Sequence, residues 1–234
     1  MRARAARGAS RVYVPVDRLI EALWEDDPPK TAKTIIQLKV SQLRKTLGGR
    51  IAGTAAGYSL AAPADEVDVG RFRHLAAQGR AAGRLEDATE DWARALGLWR
   101  GEPLQGVGSD WVERRVRGPL LRERWDLVEE HAAALIELGR HREVPALLQE
   151  LRDEEPLRET PHALAMTALW HDGRPAEALE LYHAVQRILA SELGVHPGPR
   201  LRDLHQRIVE GHRPVAPVVP RQSSMSGCAP GSEI

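Results

Sequence analysis

Thr31-Ala-Lys-Thr-Ile-Ile-Gln-Leu-Lys-Val-Ser-Gln-Leu-Arg-Lys-Thr-Leu47 is the stretch on which the reading of this chain turns. At the 3.6-residue period Ala32, Ile36, Val40, Leu43 and Leu47 fall on one side of a helix. Lys30, Thr34, Leu38, Ser41 and Lys45 fall on the other, with Gln37 and Arg44 on its flank. All four lysines of the chain, Lys30, Lys33, Lys39 and Lys45, sit in or beside this segment, and every other basic residue is arginine. An apolar back with a front of cations, hydroxyls and amides suits a helix lying in a nucleic-acid groove. There cations meet phosphates, while hydroxyls and amides reach base edges. Taken alone, the segment reads first as an ordinary solvated amphipathic helix, and it is the hairpin and the downstream domain that reverse this.

Upstream, Val14-Pro-Val-Asp-Arg-Leu-Ile-Glu-Ala-Leu-Trp24 reads as a short helix with Asp17 as its cap. Its apolar face is Leu19, Ile20, Leu23 and Trp24. Asp26-Asp-Pro-Pro29 breaks it, because proline disfavours helical geometry in the preceding residue. Downstream, Gly48-Gly49 ends the lysine-bearing helix. Ile51–Thr54 and Tyr58–Leu60 then form two short strands around Ala55-Ala56-Gly57. Helix, turn, helix, hairpin is the order of a winged helix.

The formal net charge is zero, but its distribution is not even. Residues 1–60 carry 11 Lys+Arg against 5 Asp+Glu, a net of +6, whereas residues 61–210 carry 20 against 27, a net of −7. A basic module joined to an acidic one points to a polyanion-binding part with a differently occupied partner. A hydrophobic fraction of 42% supports real cores, and no apolar run approaches the roughly 18 residues of a membrane span. Met1–Arg11 lacks the apolar stretch of a secretory signal, and the single cysteine, Cys228, can close no intrachain disulfide. These features place the protein in the cytoplasm, away from membranes.

From Ala64 the pattern is almost entirely helical. Gly83-Arg84, Gly139-Arg140 and Gly173-Arg174 each open a helix rich in alanine and leucine. Gly139 and Gly173 lie 34 residues apart, the period of a tetratricopeptide repeat, with Glu155-Pro156 where an inter-repeat proline belongs. The longer step from Gly83 breaks the period, through an insertion spanning Trp99–Asp110. Tryptophans 92, 99, 111, 125 and 170 are expected in the core and between repeats. The acidic clusters Glu86-Asp87, Glu90-Asp91 and Asp153–Glu155 read as solvated helix faces. The fold class is therefore mainly α, a winged helix-turn-helix followed by a tetratricopeptide-like antiparallel helical array. The boundaries read as a DNA-binding domain over 1–62, a helical domain over 63–210, and a disordered tail over 211–234 that is rich in Pro, Val, Ser and Gly.

No pattern of catalysis is present. The nine histidines stand singly, with no HExxH and no cysteine pair for a metal site. Gly106-Val-Gly108 lacks the third glycine and preceding strand of a dinucleotide loop, and neither a Walker lysine loop nor a G-x-S-x-G elbow occurs. No catalytic residue, cofactor or metal is expected.

The same residues resemble the antibiotic regulatory protein family of actinobacteria, which joins a winged-helix DNA-binding domain to a bacterial transcriptional activator domain. Val14–Trp24 is similar to its second helix, Gln37-Leu-Lys-Val-Ser-Gln-Leu-Arg-Lys45 to its recognition helix, and Thr54-Ala-Ala-Gly-Tyr-Ser-Leu60 to its wing. Val67-Asp-Val-Gly-Arg-Phe72, Leu98-Trp-Arg-Gly-Glu-Pro-Leu104 and Glu192-Leu-Gly-Val-His-Pro-Gly-Pro-Arg-Leu201 resemble parts of the activator domain. The match covers residues 12–210. Family members carry a small antiparallel sheet and an apolar first helix ahead of this segment. Met1–Arg11 offers no such apolar face, so an incomplete winged helix is expected, with Ile36, Val40, Leu43 and Trp24 short of packing partners.

The resemblance implies a transcriptional activator that binds direct repeats in double-stranded promoter DNA at secondary-metabolite genes. It further implies recruitment of RNA polymerase holoenzyme and contact with a second protomer in a homodimer. The residues expected to meet DNA are Lys33, Thr34, Gln37, Ser41, Arg44 and Lys45 on the helix and Thr54 and Tyr58 on the hairpin. Tyr58 reads equally as a packing residue, and the hairpin carries no Lys or Arg between Ala52 and Ala61. A different class of function remains open: a helical protein-interaction module whose winged helix is vestigial and does not bind DNA.

Overall fold

The computed structural model describes residues 13–212. The expectations for Met1–Arg11, for Cys228 and for nearly all of the tail lie outside the described residues. By Cα proximity the chain divides into two compact units between Ala134 and Leu135.

In the first unit, strand β1 (Tyr13–Pro15) leads into α1 (Val16–Trp24), α2 (Ala32–Leu47) and a 3-10 turn over Gly48–Arg50. Strands β2 (Ile51–Thr54) and β3 (Gly57–Leu60) come next. The three strands form an antiparallel sheet in the order β1-β3-β2, with Tyr58 opposite Val14 on one side and Gly53 on the other. A helix was expected from Val14, so β1 corrects that boundary. Its signal was hidden because its only partner lies more than 40 residues downstream, and pairing of a three-residue strand is a backbone matter. Asp17 does not cap α1 either. Pro15 occupies the cap position with no side-chain bond, Asp17 lies in the first turn, and the Val16 N–H donates to the Ala56 carbonyl at 3.1 Å.

Val16, Ile36, Val40 and Tyr58 form the buried core here, with Leu19, Ile20, Trp24 and Ile51 packed around them. The expected apolar stripe of α2 is only partly covered: Ile36 is 3% exposed, but Leu43 and Leu47 are 50% and 40% exposed. Leu23 of α1, expected on the buried face, is also exposed. Three short strands and one short helix lack the area to cover four turns of α2.

Beyond a 3-10 turn at Ala64–Glu66, helices α3 (Asp68–Ala81) and α4 (Leu85–Leu96) make a helical hairpin. A loop over residues 97–109 leads to α5 (Asp110–Val112), a π turn (Glu113–Arg117) and α6 (Gly118–Glu137), within which the division between units falls. Phe72, Leu75, Ala76, Ala88, Trp92 and Ala95 are buried together with Leu127 of α6. Gly79 admits the Trp92 indole, whose Nε1 donates to the Ala76 carbonyl at 3.2 Å. Two forked ion pairs stitch α3 to α6: Arg73 to Glu123 at 2.7 and 2.8 Å, and Arg80 to Glu130 at 2.8 and 2.9 Å. Both partners repeat at seven residues, so successive pairs meet along one seam.

In the second unit a 3-10 turn (His141–Glu143) precedes α7 (Val144–Leu147), α8 (Gln149–Glu154), α9 (Glu159–His171), α10 (Pro175–Leu193) and α11 (Pro199–Val209). Met166, Trp170, Tyr182, Val185, Leu189 and Leu201 lie in its core. Gly139 and Gly173 both adopt positive φ, and the following arginine N–H reaches back to the carbonyl five residues earlier, at 2.8 Å in each case. This shared helix stop is the physical content of the 34-residue repeat. Gly83 has no such geometry, because α3 ends at Ala81 in extended backbone. The Glu159 carboxylate accepts the Gly198 N–H at 2.8 and 3.1 Å, tying the segment before α11 to the start of α9. Of the tryptophans, 92, 125 and 170 are buried as expected, while Trp99 and Trp111 are half-buried.

Candidate nucleic-acid interface

Helix α2 is set in place by Ala32, Ile36 and Val40 against α1 and the hairpin, at about 1.5–3 kcal/mol for each large side chain fully buried. The same seating leaves Lys33, Thr34, Gln37, Ser41, Arg44 and Lys45 exposed. No acidic residue lies in α2, and Arg44 and Lys45 occupy its last turn, where cations complement the negative end of the helix dipole. The side chains of Thr34, Gln37, Ser41 and Lys45 make no hydrogen bond or ion pair with other described residues. Lys33 lies 3.8 Å from Asp17, with both side chains largely in solvent, so the pair is weak.

Arg44 is placed differently from its neighbours. Its Nε donates to the Ile51 carbonyl at 3.0 Å and its Nη2 to the Gly53 carbonyl at 3.3 Å. The guanidinium carbon sits 5.7 Å from the centre of the Tyr58 ring. Arg44 therefore braces the hairpin against α2, with two of its donors committed to β2. The sequence offered no sign of this, since an arginine on the flank of a basic helix looks like any other phosphate contact.

On the hairpin, Thr54 is exposed, and its Oγ1 accepts the Ala56 N–H at 3.2 Å, shaping the two-residue turn. Tyr58 is 8% exposed and belongs to the core, so of the two readings open for it the packing one describes its position. Gly53 is needed at its place: φ is +140°, and a Cβ there would stand 2.2 Å from the Gly57 oxygen. Leu38, 57% exposed amid the cations, adds an apolar group of the kind that meets a thymine methyl.

Two contacts that sequence reasoning missed tie this module to the rest of the first unit. Arg50 pairs with Glu66, just beyond the hairpin, and the Glu25 carboxylate accepts the Asp110 N–H at the start of α5. Glu25 holds a φ of 53°, rare for a residue with a side chain. Among the described residues no group of three or more His, Cys, Asp or Glu could hold a metal ion, and no helix is long and apolar enough to cross a membrane.

The family model for the bacterial transcriptional activator domain matches residues 67–209. The chain is 37% identical over 202 residues to the regulatory protein AfsR of Streptomyces griseus, covering 85% of this chain and 21% of that protein. It is 36% identical over 206 residues to the transcriptional regulatory protein EmbR of Mycobacterium tuberculosis, covering 84% and 53%. It is 31% identical over 231 residues to the regulatory protein DnrI of Streptomyces peucetius, covering 91% and 85%. The chain thus spans about a fifth of AfsR and about half of EmbR, but most of DnrI. A solved structure of Mycobacterium tuberculosis EmbR in complex with a low-affinity phosphopeptide superposes with a TM-score of 0.77 at 37% identity, over 85% of this chain and 55% of that one.

Proposed function

The chain belongs to the antibiotic regulatory protein family, whose members carry the bacterial transcriptional activator domain and regulate transcription, and on that premise we propose that it activates promoters by binding duplex DNA through α2. The observation that carries this reading is one surface. Thr34, Gln37, Ser41 and Lys45 stand exposed and unengaged with other described residues on a helix whose opposite side is buried. The lysines neutralise phosphates and release counterions, while Gln37 and Lys45 have the reach and donors for base edges in the major groove. The hairpin, with no cation of its own and its tyrosine in the core, shapes the domain more than it binds.

In this reading residues 1–62 read promoter direct repeats at secondary-metabolite genes. Residues 63–210 engage RNA polymerase holoenzyme, with a second protomer on the adjacent repeat, in the cytoplasm. A gel-shift titration of the full chain against its neighbouring promoter and a scrambled duplex, at several salt concentrations, tests the central step. Retardation specific to the promoter and weakening steeply with salt is expected. Equal affinity for both duplexes, or none, overturns it. The exposed Leu43 and Leu47 favour the second reading in that event, a helical interaction module that engages a protein through the apolar end of α2.

A further inference from the structure

A cleft of 620 Å³ opens between the start of α3 and the loop after α4. That volume lies within the range of about 300–1,000 Å³ typical of small-molecule sites. Its apolar wall is Phe72, Leu98, Trp99, Leu104 and Leu120, with Phe72 set edge-on to Trp99 at 5.4 Å between ring centres.

One side chain pins the loop at three of its carbonyls. Arg117, 15% exposed, donates from Nε to the Pro103 carbonyl at 3.0 Å, and from Nη2 to the Leu104 and Val107 carbonyls at 3.1 and 3.2 Å. Leu104 is kept at a φ of 56°, a conformation that costs a leucine free energy and persists only where its surroundings enforce it. The cleft is therefore preformed.

Its charges are unequally spent. Glu66 is taken by Arg50 and Glu102 lies 3.3 Å from Arg117, while Asp68 keeps its charge, its Oδ1 accepting only the Val69 N–H at 2.7 Å. Arg71 and Arg100 also line the cleft, and neither makes an ion pair with another described residue. Arg115 and Arg122 of this unit likewise make no ion pair with another described residue, but only Arg71 and Arg100 of these four line the cleft. Two guanidinium groups without ion pairs, against the one unpaired carboxylate of Asp68, leave the cleft with a positive balance beside an aromatic wall, which complements a ligand that is anionic at one end and flat and apolar at the other.

We infer that this cleft is a binding site for a small organic anion, a carboxylate, sulfonate or phosphate attached to an aromatic or apolar body. It goes beyond the DNA-binding reading and does not depend on it.

The probe is 8-anilinonaphthalene-1-sulfonate, titrated by fluorescence into the full chain without DNA. One saturable site per chain is expected. Arg71→Gln/Arg100→Gln weakens binding by about ten-fold or more, the scale for losing charge-assisted hydrogen bonds, at an unchanged melting temperature. The uncharged analogue N-phenyl-1-naphthylamine binds more weakly than the sulfonate. Leu43→Ser/Leu47→Ser, which removes exposed apolar surface on α2, leaves the titration unchanged. The inference is overturned by no saturable binding, by full affinity in the arginine double variant, by equal affinity for the uncharged analogue, or by loss of binding in the leucine double variant.

Discussion

The guanidinium of Arg44, near the end of α2, donates its Nε hydrogen to the carbonyl of Ile51, 3.0 Å away at the start of β2. A second donor reaches Gly53, so two carbonyls of one strand are held from one helix. The geometry requires the planar fork of arginine; a lysine offers one point charge and cannot span both. Arg44→Lys and Arg44→Ala are expected to speed amide exchange across residues 51–60 alike, costing local stability of about 0.5–1.5 kcal/mol per lost bond. If Arg44→Lys restored full protection, charge alone would be sufficient and the brace would not.

Lys45 lies beside Arg44, but its side chain has no hydrogen bond or ion pair with described residues. Lys45→Ala is expected to weaken promoter binding and lower the slope of log affinity against log salt by about 1, one phosphate contact fewer. Arg44→Lys keeps the charge, so it is expected to leave that slope nearly unchanged while lowering affinity. Parallel slopes for wild type and Lys45→Ala would place Lys45 off the phosphates.

A methyl group at Gly79 would stand 2.4 Å from Trp92 Nε1 and 3.0 Å from the Ala88 carbonyl. Neither the indole, buried on α4, nor the backbone has room to retreat. Gly79→Ala is therefore expected to destabilise the first unit by about 1–3 kcal/mol despite alanine's better helix propensity. Thermal unfolding checks it, with Gly83→Ala, which meets nothing within 4 Å, as the control.

Burial holds the His162 imidazole below its ordinary value of 6.5, and Arg152 adds to the effect; the hydrogen bond to the Pro156 carbonyl and the charge of Glu159 oppose it. Burial and the neighbouring His183 lower His205 in the same direction. Unfolding lets both residues take up protons more readily, so their contribution is intact above about pH 6.5 and declines as pH falls through the folded values. The urea midpoint should fall with pH over that window, and His162→Gln should flatten the dependence. An unchanged profile in that variant would assign the loss to carboxylates.

The division of information reflects the range of the forces involved. Helix α2 was legible because amphipathic periodicity is written within 17 residues, and the hairpin because Gly57 marks the turn between its strands. The repeat of Gly139 and Gly173 was legible because a left-handed helix stop is a local requirement. Strand β1 was not, since its hydrogen bonds go to residues near Tyr58. Nor was the exposure of Leu43 and Leu47, because periodicity says which side of a helix is apolar and not whether anything covers it.

The sequence by itself determined the helical character, the polar face of α2 and the family likeness, all properties of neighbouring residues or of residue order. Only the tertiary structure decided which members of that face are free. It engaged Arg44 with a strand, drew Tyr58 into the core, and left Arg71 and Arg100 without carboxylate partners. Those outcomes depend on where distant backbone carbonyls and carboxylates arrive in space, and helical periodicity carries no trace of that.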